Sequence, residues 1–172
     1  PGKIVVVQGV LGQGFSEQLD QGLDEALEGS GFEVVVREQG FFDRTTAIDV
    51  VSTAYQAHPD LSGIVSYSAS MSNGIAQWLQ DNDKEGVVHV GSDCDDELVE
   101  WLKTPYLEAS RYYSSAQTGL IGGTAVLAAL QGSDVPFETP VEQVIATADN
   151  IDDIIAENPY TFESFRDQVQ DI

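Results

Sequence analysis

Basic residues are scarce in this chain. Among its 172 residues only 7 are Lys or Arg, against 29 Asp and Glu, which gives a net charge of −22 at pH 7. Nucleic acid backbones and anionic membrane surfaces are recognised through Lys and Arg, so the composition argues against both as partners. The acidic residues are spread along the whole chain. In molar salt the screening length shrinks to about 3 Å and self-repulsion costs little. We therefore interpret the protein as halophilic, with an ordinary acidic protein as the alternative.

Cysteine and long apolar runs are scarce as well. Cys94 is the single cysteine, so no disulfide forms within the chain. It has no metal-binding partners at ligand spacing, and we interpret it as a small buried or half-buried thiol. No apolar run reaches the ~18 residues of a membrane span, and no span is predicted. Since the first residue is Pro1 and not Met, we interpret the chain as a fragment of a longer protein.

The chain does contain a regular alternation of β-branched runs and helical patterns. The run KIVVVQ is typical of a buried parallel strand, and apolar residues at spacings of three and four follow it. We predict strands at Lys3–Gln8, Phe32–Arg37, Gly63–Ser66, Gly86–Gly91, Val141–Thr147 and, as an edge strand, Tyr106–Tyr113. The predicted fold class is α/β, a Rossmann-like or flavodoxin-like parallel sheet flanked by helices on both faces.

Several residues mark the predicted helices. Asp43 is placed to cap one helix, and Asp95 and Asp96 stand at the start of another, where the helix dipole favours acids. A longer helix is predicted over Ser115–Leu130, although two internal glycines weaken it. The acidic segment that follows is predicted to carry a short helix around Phe162–Val169.

Signatures of common enzymes are incomplete. The glycines of segment 9–14 have the spacing G-x-x-G-x-G, the reverse of the dinucleotide fingerprint, and Glu38 is only a partial match to the ribose-binding acid. Neither a phosphate-binding G-x-x-x-x-G-K-[ST] loop nor a G-x-S-x-G elbow is present. His58 lies in a turn and His89 in mid-strand, where structural roles are favoured over catalysis. We predict no catalytic residue, metal or cofactor.

Aromatic residues gather at the predicted strand ends. In a parallel α/β sheet the ligand site lies beyond the carboxyl ends of the strands. Here those ends are segments 9–14, 40–44, 67–71, 92–95 and 113–115. The aromatic residues at or near them are Phe15, Phe41, Phe42, Tyr67, Tyr112 and Tyr113. Rings stack on the apolar faces of sugars while a few polar groups bind the hydroxyls, so the pattern favours a small polar ligand.

The order of these segments resembles a known family. The segments are GKIVVVQGVLG, FFDRTTAIDVVSTAYQAHPDLSGIVSYSASMSNGIAQWL, VVHVGSDCDDEL and TADNID. Over roughly Gly2–Ile151 they are similar to the C-terminal half of the ribose-binding-protein-like type I periplasmic binding proteins. The resemblance implies the substrate-binding component of an ABC importer for a sugar, periplasmic or extracellular, with the transporter's membrane subunits as partners. Ligand would be held between two lobes by hinge closure.

The resemblance also implies a division of the chain. Residues 1–113 would form the second ligand-binding lobe. Residues 114–132 would form a helix that crosses to the missing first lobe, and 133–150 a returning strand. Residues 151–172 would be an acidic tail.

Carried over position by position, the resemblance implies a set of ligand contacts. Asp93 would accept bonds from sugar hydroxyls and Phe42 would stack on the sugar. Where the family offers polar groups, this chain has Leu19 on the first helix, Ser68 after the third strand and Tyr113 at the hinge; Ser92 replaces an aromatic residue. The complete expected set is Phe15, Phe42, Ser68, Ser92, Asp93 and Tyr113.

Two other functions stay open. The same kind of lobe serves as the effector-binding part of LacI-type transcriptional regulators, in which a helix-turn-helix would precede it. A Rossmann-like reductase is the enzyme alternative and would bind a nicotinamide cofactor.

Overall fold

The β-branched runs form one six-stranded sheet in a computed structural model, which describes residues 2–157. Its strands are β1 (Gly2–Gln8), β2 (Phe32–Gln39), β3 (Leu61–Ser66), β4 (Val88–Ser92), β5 (Ala109–Tyr112) and β6 (Val144–Ala146). They are ordered β2-β1-β3-β4-β5-β6. The first five are parallel, and β6 pairs antiparallel with β5.

Within the described part of the chain, six helices connect or follow these strands. They are α1 (Phe15–Leu27), α2 (Arg44–Ala57), α3 (Ala69–Asp81), α4 (Asp96–Leu102), α5 (Ser115–Leu130) and α6 (Ile151–Ala156). Asp43 caps α2 by accepting from the backbone N–H of Thr46 at 2.8 Å. Asp95 caps α4 in the same way through Leu98, also at 2.8 Å. Both predicted helix starts are therefore confirmed, and α5 has the predicted bounds.

The main core lies around β1. Val5, Val6 and Val7 are fully buried in succession, which requires cover on both faces of the sheet because successive side chains point to opposite faces. Ile75 and Leu79 of α3 are also fully buried in this core. A second, smaller core lies where α4, β6 and α6 meet, and consists of Leu98, Leu102, Leu107, Ala146 and Ile151.

The far side of the sheet differs from the sequence-based prediction. Tyr106–Tyr113 was expected to contain an edge strand, but β5 is interior because β6 pairs along its outer side. The edges are β2 and β6. The chain returns antiparallel after α5, so the sheet is mixed, an arrangement common where an antiparallel strand closes a parallel sheet.

The segment from α5 onward is less packed than the rest. α5 has no buried residue, and its Val126 and Leu130 are 59% and 79% exposed. Phe137, in the connection to β6, is fully exposed at 100%. The first six residues of the expected acidic tail form α6, with Ile151 buried. The helix predicted around Phe162–Val169 lies outside the described residues. Across residues 2–157 no helix has the length and apolarity of a membrane span.

Candidate ligand-binding site

A cluster of polar groups lies at the carboxyl ends of β4 and β5, with Asp93 at its centre. Asp93 directly follows β4 and has a left-handed backbone, with φ of 68°. Few non-glycine residues adopt this conformation, and those that do are frequent at functional sites. Its Oδ1 accepts a hydrogen bond from Arg111 Nη2 at 3.1 Å. The Tyr113 hydroxyl and the backbone N–H of Ala69 also donate to this carboxylate.

Arg111, on β5, bonds to three side chains at these strand ends. Its Nε and Nη2 donate to the hydroxyl of Ser92 at 3.0 and 2.8 Å, and its Nη1 donates to Oε1 of Gln143 at 3.1 Å. The third partner is Asp93, and the arginine side chain is 19% exposed. Because a guanidinium stays charged and is mostly removed from water here, the Asp93 carboxylate is its main electrostatic compensation.

Three aromatic rings complete the cluster. The guanidinium of Arg111 lies 5.5 Å from the ring centroid of Phe15 and 5.2 Å from that of Tyr113, both within cation–π range. Phe42 packs against Phe15 with centroids 6.2 Å apart and a tilt of 52°. The structure thus brings together rings from three separate strand ends, as expected for a surface that contacts the apolar faces of a small polar molecule.

Gly9 makes room for this arrangement at the end of β1. A Cβ atom built on Gly9 would lie 2.1 Å from two ring atoms of Phe42, a separation that real atoms do not adopt. Phe42 itself has a left-handed backbone, with φ of 60°. The absence of a side chain at Gly9 therefore lets the Phe42 ring pack closely against the backbone.

The charge of Asp93 depends on opposing effects. Burial raises the pKa of its carboxyl above the ordinary value, while Arg111, Tyr113 and Ala69 lower it in part. Burial and the neighbouring Asp93 in turn raise the pKa of the Tyr113 hydroxyl, which keeps it a donor. The site therefore consists of one carboxylate, one guanidinium and one neutral phenol in mutual contact.

The two serines of the expected ligand set are hydrogen-bonded to other residues of this chain. Ser68 is 7% exposed and caps α3, with its hydroxyl accepting from the N–H of Met71 at 3.4 Å. Ser92 is 4% exposed and accepts from Arg111. The remaining expected residues, Phe15, Phe42, Asp93 and Tyr113, lie in the cluster itself.

The other rim aromatics have different surroundings. Tyr67 is only 3% exposed, and its hydroxyl donates to Oδ1 of Asp20 at 2.7 Å. Gln8 and Arg37 contact the same carboxylate. Burial raises the pKa of Tyr67, so it is a buried structural donor. Tyr112 packs toward the smaller core, whereas Phe41 is 54% exposed.

His89 has the predicted structural role. It is 1% exposed; its Nδ1 lies 3.1 Å from the carbonyl oxygen of Tyr106 and its Nε2 lies 3.0 Å from the Ser66 hydroxyl. A carbonyl only accepts, so Nδ1 carries the proton and Ser66 donates to Nε2. Burial lowers the pKa of His89 to about 4.

Cys94 and the neighbouring acids also match their predicted roles. Cys94 is half-buried, and burial, with the nearby carboxylates, raises the pKa of its thiol to about 11, which disfavours the reactive thiolate. Asp95 is occupied as a cap and accepts from Nδ2 of Asn73 at 3.1 Å. Within residues 2–157 no group of three or more His, Cys, Asp or Glu side chains is placed to hold a metal ion.

A family model described as "Periplasmic binding protein domain" matches residues 1–134. The chain belongs to the periplasmic binding protein family. Among curated relatives, the ribose import binding protein RbsB of Salmonella typhimurium is 26% identical over 140 residues, which are 81% of this chain and 47% of that protein. The D-allose-binding periplasmic protein of Escherichia coli is 26% identical over 123 residues, 70% of this chain and 40% of that protein. This periplasmic binding protein chain thus spans about half the length of the curated relatives it matches.

Solved structures of the family share the fold described above. An ABC transporter solute binding protein from Agrobacterium vitis with bound D-fucose is 27% identical, with a TM-score of 0.86 over 91% of this chain and 55% of that chain. A carbohydrate transporter solute binding protein from Agrobacterium radiobacter in complex with D-arabinose is 22% identical, with a TM-score of 0.86 over 93% of this chain and 55% of that one. The relatives named here are binding proteins.

Arg111 is the residue of this periplasmic binding protein's site that sequence analysis missed. A signal was present, since it is one of only 7 basic residues and stands two positions before Tyr113 at a predicted strand end. A rare cation at the carboxyl edge of a sheet can be predicted to pair with a carboxylate at the neighbouring strand end, here Asp93.

Proposed function

We propose that this chain is one lobe of the substrate-binding component of an ABC importer for a sugar or a similar small polar solute. The observation that carries the proposal is the Asp93 carboxylate at the carboxyl edge of the sheet, in contact with the Tyr113 hydroxyl and paired with Arg111. The Arg111 guanidinium lies 5.5 Å from the ring centroid of Phe15, and that ring packs against Phe42. A carboxylate binds ligand hydroxyls and the rings contact its apolar faces. Binding, not catalysis, is the activity we infer for it.

We further propose that a first lobe lies outside this chain and covers α5. That helix has no buried residue, although its sequence is largely apolar. Leu120, Ala125 and Ala128 line a groove with Val135 of the following segment. Exposed apolar surface of this kind marks an interface, and the matched part of the chain corresponds to only 47% of the ribose import binding protein. Residues 114–132 would then pack on the first lobe, and 133–150 would return to the second.

Hinge closure between the two lobes would enclose the ligand and present the closed form to the transporter's membrane subunits. We accordingly propose that the protein acts in the periplasm or at the extracellular surface. The names of the curated relatives, which include a periplasmic D-allose-binding protein and ribose import proteins, support that placement.

The test is a thermal-shift screen of the full-length protein in molar KCl against pentoses, hexoses, polyols and nucleosides. A ligand that binds the native state raises its stability by RT ln(1 + [L]/Kd), so micromolar binders at millimolar concentration give a clear shift. We expect at least one sugar to bind. A shift with NADH and none with the sugars would contradict the proposal.

Replacing Asp93 with Asn should weaken the affinity for that sugar about 10- to 100-fold, because hydrogen bonds to a charged acceptor are lost. Asn tolerates the left-handed backbone, so the substitution isolates the carboxylate. Asp83→Asn is the matched control, since Asp83 is an exposed aspartate with φ of 54° in the turn after α3. Calorimetric affinities that are equal in the two variants would rule out the role of Asp93.

A further inference from the structure

Arg111 and Asp93 form an ion pair, and most hydrogen-bond donors and acceptors of the two side chains already have partners in the protein. A guanidinium has five N–H donors. Two of them donate to Ser92, one to Asp93 and one to Gln143. The carboxylate can accept about four hydrogen bonds, and Arg111, Tyr113 and Ala69 supply three. Within residues 2–157 the pair therefore has one further donor, on Nη1, and about one further acceptor site, on the carboxylate.

The pair is held in a fixed orientation. The bonds to Ser92 and Gln143 come from residues on either side of β5 in the sheet, because β4 and β6 flank it. The rings of Phe15 and Tyr113 contact the guanidinium at cation–π distances. A planar guanidinium that is fixed by these hydrogen bonds and ring contacts points its remaining N–H in one direction. A ligand group must match that direction.

The local charge balance favours a neutral ligand. Arg111 and Asp93 cancel each other at a separation of 3.1 Å. An anionic ligand bound to Arg111 would bring a second negative charge next to Asp93. A cationic ligand bound to Asp93 would face the guanidinium. A hydroxyl group both donates and accepts without either cost.

We propose that Arg111 is a specificity-determining residue of the cleft, and that with Asp93 it selects neutral ligands that carry two adjacent hydroxyl groups. One hydroxyl oxygen accepts from Nη1 of Arg111, and the neighbouring hydroxyl donates to the Asp93 carboxylate. A ligand that lacks one of the two hydroxyls leaves a buried donor or acceptor unpaired, and an anionic derivative meets Asp93. This inference rests on the proposed function and adds the class of ligand.

The experiment measures calorimetric affinities of the full-length protein in molar KCl for matched sugar pairs. D-ribose is compared with 2-deoxy-D-ribose, and D-galactose with D-galacturonate. The variants are Arg111→Gln and Arg111→Lys. The first removes both the positive charge and the planar set of N–H donors, and the second keeps only the positive charge. Lys103→Gln is the control, because it removes the same charge from the exposed C-cap of α4, where Lys103 pairs with Asp152.

We expect the wild-type protein to bind a neutral sugar at least tenfold more tightly than its deoxy or acidic partner. Arg111→Gln and Arg111→Lys should each lose about 10- to 100-fold for that sugar and most of the discrimination, whereas Lys103→Gln should match the wild type. Equal discrimination in Arg111→Gln, or a preference of the wild type for the uronate, would overturn the inference while leaving the proposed function in place. Failure of the wild type to bind any neutral sugar would overturn both.

A ligand-free measurement keeps the ion pair testable if Arg111→Gln folds poorly. The carboxyl pKa of Asp93, followed by carbon NMR in the chain, should rise in Arg111→Lys, since the planar set of N–H donors is lost while burial remains. An unchanged pKa of Asp93 in Arg111→Lys would show that the planar guanidinium does not stabilise the charged Asp93 carboxylate, and it would overturn the inference.

Discussion

Two Arg–Asp–Tyr clusters lie at the carboxyl edge of the same sheet, and they differ in their surroundings. In one, Asp20 of α1 accepts from the hydroxyl of Tyr67 and pairs with Arg37 at 3.3 Å. In the other, Asp93 accepts from Tyr113 and pairs with Arg111 at 3.1 Å. The side chain of Asp20 is 15% exposed and that of Asp93 is 27% exposed.

The difference in surroundings indicates a difference in role. Tyr67 is almost fully buried, and its bond to Asp20 ties α1 to the end of β3. In the second cluster the aspartate and the tyrosine are more exposed than their counterparts in the first, whereas the arginine is less exposed and is flanked by aromatic rings. We infer that the first cluster stabilises the fold and that the second serves the proposed ligand site. We call them the scaffold cluster (Asp20, Arg37, Tyr67) and the cleft cluster (Asp93, Arg111, Tyr113).

The largest expected effect comes from breaking the scaffold cluster. Asp20→Ala should lower the free energy of unfolding by about 3 kcal/mol, because it leaves the buried donors of Tyr67 and Gln8 unpaired and leaves Arg37 with only the exposed carboxylate of Asp24. Urea unfolding in molar KCl measures the loss. Asp24→Ala is the matched control, since Asp24 also pairs with Arg37 but its side chain is 59% exposed. Equal losses in the two variants would contradict the assignment of Asp20 to the scaffold.

Contacts between residues close in the sequence were predicted better than contacts between distant residues. Asp43 and Asp95 were identified as helix caps because a cap and the N–H it accepts from are three residues apart. Tyr67 was expected at the rim, but its partner Asp20 is 47 residues away. The antiparallel direction of β6 depends on how the chain returns after α5, and no local pattern in a three-residue strand fixes it.

The candidate site was predicted only in part for the same reason. The strand pattern located the aromatic residues Phe15, Phe42 and Tyr113 at the strand ends, whereas the ligand-binding role of Asp93 was implied by the resemblance to the family. Arg111 was missed because its role arises from pairing with Asp93, 18 residues earlier, and from the ring of Phe15. The order of strands in a sheet decides which strand ends are neighbours, and that order is not a local property.

The next largest expected effect is a pH-dependent loss of stability that involves strands β3 and β4. Ser66 is the last residue of β3, directly before Tyr67, and His89 lies within β4, which Asp93 follows. Their hydrogen bond therefore connects the two strands that lead to the clusters. The pKa of His89 is about 4 in the folded protein and about 6.5 when unfolded. Above pH 6.5 both states are neutral and the bond contributes fully. Between pH 6.5 and 4 only the unfolded state gains the proton, so stability falls by about 3 kcal/mol and then levels off.

Unfolding in urea at pH 7.5 and at pH 4.5 measures this loss. His89→Gln should remove that proton uptake and flatten the pH dependence. His58→Gln, the same substitution in the turn after α2, should keep the wild-type slope. If wild type and His89→Gln lose the same stability on acidification, the loss comes from other groups.

The smallest effects should separate the two clusters most sharply, because the substitution in each is one hydroxyl. Tyr67→Phe should cost about 1 to 2 kcal/mol of stability, since Asp20 loses a donor where water has little access. Tyr113→Phe should cost less than about 0.5 kcal/mol, because its half-buried neighbour Asp93 keeps Arg111 and Ala69 as donors. Ligand affinity should show the reverse order: unchanged in Tyr67→Phe, and severalfold weaker in Tyr113→Phe because the orientation of the carboxylate is less constrained. Urea unfolding and calorimetry on the same samples give both values. Affinity that falls with stability in both variants would mean that the two clusters act as one structural unit.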